Sequence, residues 1–421
     1  MNSQPKTSRR PRLPVVTALV TAAVCAVSLG VSAGPAPAQG NGEGGGGRDS
    51  AGAALSQKQL QREVDRTLKD AGYVGISVQV RDGQSRRYAV AGEAELGTGR
   101  PVSHEADFRA ASVTKTFVST VVLQLVAEGR LSLDDTVEDW LPGVVAGNGN
   151  DGSRVTVRHL LQHTSGIYNY DVTEDTGDTA ADFERTRFDH YDPQDMVAGA
   201  MKHRPDFDPA DPSDLEPDWS YSNTGYVLAG MIIEEVTGKP WDREVRDRIV
   251  RPLGLTRTYA PGDDPRLKGP YTHTYQQLPG STAMTDTSIR NVSWASAAGE
   301  LITGERDLDR FLTALQRGRL LPPAEMAELR KAVPAAGDYQ MVFPGLHYGL
   351  GVMRQPLTCG GDRWGHGGDL EGQTIRTAVS EDGQRSVVIN ASGKKSNDEW
   401  LIGAEKAVQA LVDRAMCGGG R

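Results

Sequence analysis

The sequence has little positive charge relative to its acidic residues. Its 46 lysines and arginines stand against 55 aspartates and glutamates, giving a formal net charge of −9. An acidic surface repels phosphate groups, so nucleic acids and anionic membranes are not expected partners. The 8 histidines show no spacing typical of zinc ligands, no internal repeat is present, and we predict no cofactor. With 421 residues, the chain is long enough for one large domain or for two lobes around a sizeable core.

Cysteine is also scarce. The sequence contains Cys25, Cys359 and Cys417, and Cys25 lies in an N-terminal segment that we expect to be removed. The other two form an even pair, and such pairs are commonly joined in an oxidising compartment. We therefore predict a Cys359–Cys417 disulfide that ties the chain end to the sheet and contributes about 2–4 kcal/mol. Two free thiols are the alternative.

The first 38 residues have the pattern of a secretory signal peptide. Four basic residues, the last of them Arg12, precede an apolar run over residues 13–31, and the sequence Ala-Pro-Ala at 36–38 fits a cleavage site. A membrane anchor is the alternative, because the run nearly reaches spanning length. Cleavage would change the formal charge to −13 and leave no stable anchor. Residues 39–54 are rich in Gly and predict a flexible linker, and residues 55–421 are expected to form the folded domain.

The order of the predicted elements indicates one sheet built from both ends of the chain. A helix over residues 55–71 and strands over 74–80 and 87–90 open the domain. Near the other end, the strands are predicted over residues 348–353, 362–365, 374–380 and 386–390, and the closing helix over 400–416. The middle of the chain alternates helices with polar loops, and residues 171–218, dense in Asp and Pro, predict an irregular loop. A cleft between two lobes is a common place for a ligand.

The segment Ser112-Val-Thr-Lys115 is the strongest chemical candidate, because it heads an apolar helical pattern. Side chains three residues apart share a helix face, so Lys115 can reach the Ser112 hydroxyl, which needs a base to act as a nucleophile. Burial would lower the pKa of Lys115 toward that of a useful base. Residues 3–6 and 392–395 have the same Ser-to-Lys spacing, but they lie in the signal segment and in a polar loop. A helix-capping serine followed by a solvent-reaching lysine is the alternative.

Two further segments carry candidate residues. Tyr221 and Asn223 precede an apolar helix over residues 226–236, and a tyrosine near a lysine can be held partly as phenolate and accept a proton. The sequence Gly-His-Gly-Gly over residues 365–368 follows a predicted strand, and its small residues let a substrate backbone approach the strand edge. The alternatives are a helix cap for the first segment and an ordinary glycine-rich turn for the second.

Taken in this order, the Ser-x-x-Lys, Tyr-x-Asn and His-x-Gly segments resemble the motifs of the penicillin-recognising serine hydrolases, which include serine DD-peptidases and class C β-lactamases. Class C enzymes usually carry Lys-Thr-Gly at the third position, and His-x-Gly is similar instead to the secreted actinomycete D-alanyl-D-alanine carboxypeptidases. The likeness covers most of the chain, including LLQHTSGIYNY, YSNTGYVLAGMIIEEVTGK and YGLGV. It implies an α+β, β-lactamase/transpeptidase-like fold. An antiparallel sheet flanked by N- and C-terminal helices would come from residues 55–110 and 295–421, and a mainly helical lobe from 111–294.

The resemblance also implies catalytic roles. Ser112 would be the nucleophile, Lys115 its activator and Tyr221 the general acid/base. His366 would help to place the Tyr221 proton, whereas His163 in the LLQHTSG segment would be structural.

The substrate contacts are implied in the same way. Asn223 would contact the amide on the acyl side of the substrate, and Trp294 would line the cleft wall. The backbone of Gly367, Gly368 and Asp369 would lie along the substrate. The N–H groups of Ser112 and Asp369 would form the oxyanion hole, where charge develops at the tetrahedral stage.

Two positions depart from the carboxypeptidase pattern. Those enzymes tend to have a threonine in the middle of the triplet and an arginine on the preceding strand, and both hold the free carboxylate of the substrate. Here the two positions are Gly367 and Met353, and alternation along the strand would point Arg354 to the other face. Losing a bidentate cationic anchor changes specificity substantially.

The leading hypothesis is a secreted, monomeric D-alanyl-D-alanine carboxypeptidase that acts on peptidoglycan stem peptides. An esterase, a D-aminopeptidase or a class C β-lactamase-like hydrolase on the same scaffold is the first alternative, which Gly367 and Met353 favour. A non-catalytic penicillin- or cell-wall-binding module is the second. Small peptides, esters and β-lactams are the expected ligands.

Overall fold

The computed structural model describes residues 52–211 and 214–418. The predicted signal peptide and most of the predicted linker lie outside these residues. The first helix begins after Ser56, whose side chain accepts from the Gln59 N–H while the Gln59 side chain accepts from the Ser56 N–H. This reciprocal cap places the start of the fold within two residues of the predicted position.

Helices surround a sheet in the described part of the chain. The helices are α1 (Gln57–Ala71), α2 (Thr114–Ala127), α3 (Val137–Trp140), α4 (Val157–Gln162), α5 (Thr173–Thr176), α6 (Ala180–Thr186), α7 (Pro193–Ala200), α8 (Asn223–Thr237), α9 (Trp241–Val245), α10 (Arg251–Leu253), α11 (Ser296–Gly299), α12 (Glu305–Gln316), α13 (Pro323–Arg330), α14 (Gly337–Val342) and α15 (Asp398–Cys417). Short 3₁₀ turns cover Ala111–Val113 and Ser293–Ala295, and a π-helical turn covers Arg246–Val250.

The strands form one large sheet and three small pairs. They are β1 (Gly75–Asp82), β2 (Ser85–Gly92), β3 (Asp107–Arg109), β4 (Ala146–Gly147), β5 (Asn150–Asp151), β6 (Tyr275–Gln276), β7 (Thr285–Asp286), β8 (Ile302–Gly304), β9 (Val333–Pro334), β10 (His347–Tyr348), β11 (Met353–Pro356), β12 (Asp362–Gly365), β13 (Gly367–Leu370), β14 (Gln373–Ser380) and β15 (Arg385–Ser392). The large sheet has the order β2-β1-β15-β14-β12-β11-β10-β9, with β13 also paired to β14. Its pairs are antiparallel.

This topology confirms the predicted architecture. The chain enters the sheet at β1 and returns to it at β15, which pairs with β1 over eight residues from Gly75↔Ser392 to Asp82↔Arg385. Helices α1 and α15 pack together on one face of these strands, where Ile76, Val78 and Val80 join their apolar side chains. A second, larger core lies around α2 and α8. A sheet covered by the two terminal helices and followed by a mainly helical part is the predicted α+β fold.

Two predicted segments differ from the structure. Residues 348–353 do not form one strand, because the chain turns between β10 and β11. Gly351 has a φ of 76°, which glycine adopts at low cost, and its carbonyl accepts from Thr116 Oγ1 on α2 at 2.7 Å. Residues 171–218 are not wholly irregular, since they contain α5, α6 and α7. Helix α6 begins with a reciprocal cap between Thr179 and Asp182, and α7 begins with Pro193, whose fixed φ suits the first helical position.

The predicted disulfide is present. Cys359 lies in the loop between β11 and β12, and Cys417 is the last residue of α15, with a Cα–Cα separation of 5.7 Å. It closes a loop of 58 residues and anchors the final helix to the sheet. Among the helices of the described ranges, none combines the length and apolarity needed to cross a bilayer.

The other face of β1 is polar and contacts α12. Glu305, the first residue of α12, is fully buried there, and burial raises the pKa of its carboxyl to about 8 although Ser77 on β1 opposes the shift. The side-chain amide of Gln79, two residues along β1, is buried and has no hydrogen-bond partner among the described residues. Glu305 is therefore protonated in the folded protein at neutral pH.

We predict that Glu305→Gln is increasingly stabilising as the pH rises. The carboxyl of Glu305 ionises near pH 4.5 in the unfolded chain and near 8 in the folded chain. The contribution of the Glu305 carboxyl to the free energy of unfolding is therefore fully present below pH 4.5. It is lost as the pH rises from 4.5 to about 8, by up to about 1.4 kcal/mol per pH unit. Urea unfolding at pH 5, 6.5 and 8 measures this loss. Equal pH slopes for the wild type and the variant would contradict it.

Candidate active site

The nucleophile candidate, Ser112, lies in a constrained turn. Ala111 before it has a φ of 49°, a left-handed conformation that costs a residue with a Cβ about 1–2 kcal/mol. Ser112 is the middle residue of the 3₁₀ turn Ala111–Val113, which leads directly into α2, so the helix begins two residues after the predicted start at Ser112. Backbone strain of this kind is often retained at functional sites.

Strand β13 packs directly against this turn. A Cβ built on Gly368 would lie 2.6 Å from the Ala110 carbonyl oxygen, 2.9 Å from the Ala111 Cβ and 3.2 Å from the Ser112 backbone nitrogen. The strand can approach the nucleophile this closely because residue 368 is glycine. This approach also brings the next residue, Asp369, near Ser112. The predicted oxyanion hole requires the backbone N–H groups of Ser112 and Asp369 to lie close together.

Lys115 is buried beside Ser112 with three oxygen partners. Its Nζ lies 3.2 Å from Ser112 Oγ, 2.7 Å from Asn223 Oδ1 and 2.8 Å from the Ala298 carbonyl oxygen. Burial lowers the pKa of Lys115 well below its usual value, as predicted. A neutral amine has two N–H donors and one lone pair. Two of its partners can only accept, so the lone pair is left to take the proton of Ser112, the one partner that can donate.

Tyr221 lies on the other side of the amine. Lys115 Nζ is 4.8 Å from the centroid of its ring. Burial raises the pKa of the Tyr221 phenol well above its usual value, and a hydrogen bond with Ser112 opposes that rise only in part. The raised pKa favours a protonated Tyr221 phenol, which can donate its proton, over the expected partial phenolate.

Asn223 connects this site to the first turn of α8. Its amide oxygen accepts from Lys115, so its NH₂ group is what it offers to a substrate carbonyl. The backbone N–H of Asn223 donates to Asn169 Oδ1 at 2.6 Å, which satisfies one of the first N–H groups of the helix. The position agrees with the predicted contact to the acyl-side amide, which remains a prediction.

His366 forms a hydrogen bond with a second tyrosine, Tyr348. Its Nδ1 lies against the Gly367 carbonyl, which can only accept, so Nδ1 carries the proton and Nε2 accepts from the Tyr348 hydroxyl at 2.8 Å. Burial lowers the pKa of His366 to about 3. The Tyr348 ring is 6.4 Å from that of Tyr221. His366 thus bonds to Tyr348, whose ring lies near that of Tyr221, and its role in placing the Tyr221 proton stays a prediction.

The side chain of Asp369 holds β13 in place. Its carboxylate pairs with Lys394 Nζ and Arg376 Nη1, each at 2.9 Å, and accepts from Thr374 Oγ1 at 3.0 Å. Although burial opposes ionisation, these two cations hold the pKa of Asp369 far below its usual range. The backbone beside Ser112 is therefore anchored by an ion-pair cluster that the sequence motifs did not indicate.

The remaining predicted contacts lie around the cleft. Trp294 is largely buried, with the Arg290 guanidinium 5.2 Å from its ring, so it supports the cleft wall more than it faces the solvent. Met353 packs with the aromatic cluster that includes Tyr221, whereas Arg354 lies 3.6 Å from Asp362. The predicted opposite orientation of these two neighbours is confirmed.

Sequence reasoning missed two residues of this site. Tyr348 appears in the YGLGV segment, but the hydroxyl that bonds His366 was not assigned a role. The family resemblance implied a structural role for His163, but the centroid of its ring is 4.2 Å from that of Tyr221. Both lie in segments that carried the family resemblance, which was the available signal.

A serine and a buried lysine beside a tyrosine, on this fold, define a serine hydrolase. The chain matches the family model described as Beta-lactamase over residues 60–411 and belongs to that family.

Several known proteins are similar to this chain. Penicillin-binding protein 4 of Amycolatopsis lactamdurans is 39% identical over 161 residues, which are 38% of this chain and 37% of that protein, so the match spans just over a third of that relative. The crystal structure of a D-stereospecific amidohydrolase from Streptomyces sp. is 40% identical, with a TM-score of 0.73, over 83% of this chain and 98% of that chain. A D-amino acid amidase from Ochrobactrum anthropi SV3 is 26% identical, with a TM-score of 0.68, over 84% and 96%.

We predict that Gly368→Ala abolishes most acylation of Ser112. The added methyl group would overlap the Ala110 carbonyl and move β13 away from the nucleophile, and a displacement of about 1 Å can cost about 100-fold in rate. Gly403→Ala on α15 is the control, because a Cβ there meets no atom within 4 Å. Burst kinetics with a chromogenic ester measure the acylation rate. An unchanged burst in Gly368→Ala would show that this close approach is not needed.

Proposed function

We propose that this protein hydrolyses amide or ester bonds at the carbonyl of D-configured amino acids through an acyl-enzyme on Ser112. The observation that carries the proposal is the apolar environment of Met353, at the position where the family's carboxypeptidases hold a substrate carboxylate. Similarity over nearly the whole length of a D-stereospecific amidohydrolase supports it. The apolar surface around Met353 fits a substrate whose leaving group has no free carboxylate.

The site chemistry follows from the hydrogen bonds of Lys115. The neutral amine accepts the Ser112 proton while Oγ bonds to the substrate carbonyl carbon. Charge on the carbonyl oxygen is stabilised by the N–H groups of Ser112 and Asp369. The Tyr221 phenol donates its proton to the leaving amine or alcohol as the carbonyl–leaving-group bond breaks, and the Lys115 ammonium returns a proton to Tyr221. Water then repeats the sequence on the acyl-enzyme and releases the acid.

The residues that bind a free substrate carboxylate in the family's carboxypeptidases are replaced in this chain. Gly367 offers no hydroxyl, Met353 no charge, and the Arg354 guanidinium is directed toward Asp362. A carboxylate placed in this region would lose part of its hydration without a bidentate cation to replace it. The leaving group is therefore expected to be neutral, as in an amino-acid amide, a peptide blocked at its carboxyl end, or an ester.

A D-alanyl-D-alanine carboxypeptidase that acts on peptidoglycan stem peptides, the leading expectation from the motifs, is the second candidate. Similarity to Penicillin-binding protein 4 and the His366-Gly-Gly triplet favour it. Both candidates share the same nucleophile and differ in the leaving group. Under either of them, β-lactams are expected to acylate Ser112.

A panel of matched substrates separates the two candidates. We expect D-amino-acid amides and p-nitrophenyl esters to be hydrolysed at least about 100-fold faster than their L enantiomers. We also expect N-acyl-D-Ala-D-Ala with an amidated C-terminus to be cleaved at least about 10-fold faster than the free acid. Values of kcat/KM measure both, with Ser112→Ala as the inactive control. Faster D-alanine release from the free acid would favour the carboxypeptidase, and equal rates for both enantiomers would overturn the proposal.

We further propose that the enzyme acts outside the cytoplasm after its signal segment is removed. The basic and apolar pattern of residues 1–38 supports this, as does the Cys359–Cys417 bridge, because disulfides persist in oxidising compartments. The culture medium of cells expressing the full chain should contain protein that begins near residue 39, as read by N-terminal sequencing. Intact protein retained in the membrane fraction would contradict it.

A further inference from the structure

His163 ends α4 in an unusual state. Its φ is 65°, a left-handed conformation usually left to glycine or asparagine, and its side chain is almost fully buried. The imidazole lies among aromatic rings, with centroid distances of 4.2 Å to Tyr221, 4.6 Å to Tyr348 and 5.4 Å to Tyr226. Its Nε2 is buried without a hydrogen-bond partner in the described part of the chain, which costs about 1–3 kcal/mol. An apolar side chain would fill this space without that cost.

Two hydrogen bonds of His163 flank Tyr221. The carbonyl oxygen of His163 accepts from the Ser220 N–H at 3.1 Å, and its Nδ1 accepts from the Ser222 N–H at 3.2 Å. One residue therefore holds the backbone immediately before and immediately after the phenol. The ring of His163 also packs against the ring of Tyr221, so its rotation is restricted as well.

We infer that His163 is a positioning residue for acylation, because its Nδ1 and carbonyl hold the Tyr221 phenol in place beside Ser112 and Lys115. His163 reaches the reacting atoms only through Tyr221. The inference depends on the acyl-enzyme chemistry of the proposed function but not on its preference for D-configured substrates.

This role requires the neutral imidazole with its proton on Nε2. Nδ1 faces a backbone N–H, which can only donate, so a protonated Nδ1 would remove the hydrogen bond and set two donors against each other. Burial lowers the pKa of His163 well below its usual value. In this tautomer Nδ1 accepts the hydrogen bond that holds the backbone next to Tyr221, and Nε2 carries a proton without a partner among the described residues. The free-energy cost of the unpaired Nε2–H is therefore a consequence of that hydrogen bond.

Asparagine and glutamine at position 163 provide a matched test. The side-chain oxygen of Asn can take the place of Nδ1, whereas that of Gln takes the place of Nε2, and both remove the aromatic ring. We expect His163→Asn to keep kcat within about 5-fold of the wild type, and His163→Gln and His163→Ala to lose about 50-fold or more, with KM changed by less than about 3-fold. Burst rates with a p-nitrophenyl ester and labelling by a fluorescent penicillin, both with Ser112→Ala as control, measure acylation.

The melting temperature of each variant separates positioning from packing. A structural role predicts that each variant regains a kcat near that of the wild type at a temperature where its melting curve shows it to be folded, and that result would overturn the inference, as would full activity in His163→Gln. If His163→Ala does not fold, the Asn and Gln pair alone decides, at a temperature where both are folded. Failure of the proposed function looks different. A wild type that labels with penicillin but shows no D preference leaves this test intact, and a wild type that no probe acylates overturns both.

Discussion

The buried amine of Lys115 joins three segments that are far apart in the chain. It contacts Ser112 before α2, Asn223 at the start of α8 and the carbonyl of Ala298 in α11. Burying an ammonium ion with no anionic partner would cost several kcal/mol, and burial instead favours the neutral amine. The neutral amine donates its two N–H groups to Asn223 and the Ala298 carbonyl, so its lone pair is directed at the serine hydroxyl. The chemistry of the site depends on this arrangement.

The strand next to the nucleophile is held by charges on its far side. Asp369 is paired with Lys394 and Arg376, and Arg376 is in turn paired with Glu405 on α15. This cluster anchors β13 between the sheet and the C-terminal helix, while Gly368 allows the same strand to contact the Ser112 turn. A buried network whose members are all paired gives a rigid position to the backbone that the transition state needs.

Much of the fold was predictable because its signals are local. The apolar spacing after Ser112 indicated α2, and the strands near 362–365 and 373–380 have β-type patterns with clear turns between them. The segment 348–353 was wrongly taken as one strand. Its apolar residues continue through Gly349 and Gly351, and the turn there is decided by contact with α2. The sequence did not predict helices α5 to α7, because each spans at most eight residues and is too short to show a clear apolar period.

The site was predictable to a different depth at each residue. Ser112 and Lys115 are one helical turn apart, so their contact follows from spacing alone. The state of Tyr221 could not be predicted, because it depends on how completely the phenol and its lysine neighbour are removed from water. His366 has the expected place in the chain, but its partner, Tyr348, comes from a strand pairing that no local pattern specifies.

By itself, the sequence determined the class of chemistry, since Ser112 and Lys115 are three residues apart at the head of an apolar helical pattern and the Tyr-x-Asn and His-x-Gly segments follow in the expected order. It also determined the two departures, Gly367 and Met353, that weaken the carboxylate anchor. The tertiary structure alone decided which groups are neutral and which hydrogen bonds hold Tyr221. It also placed His163 where it accepts from the backbone N–H groups of the residues before and after Tyr221. The physical reason is that ionisation and position in a buried site are set by the removal of water and by partners brought from distant segments, and neither can be read from adjacent residues.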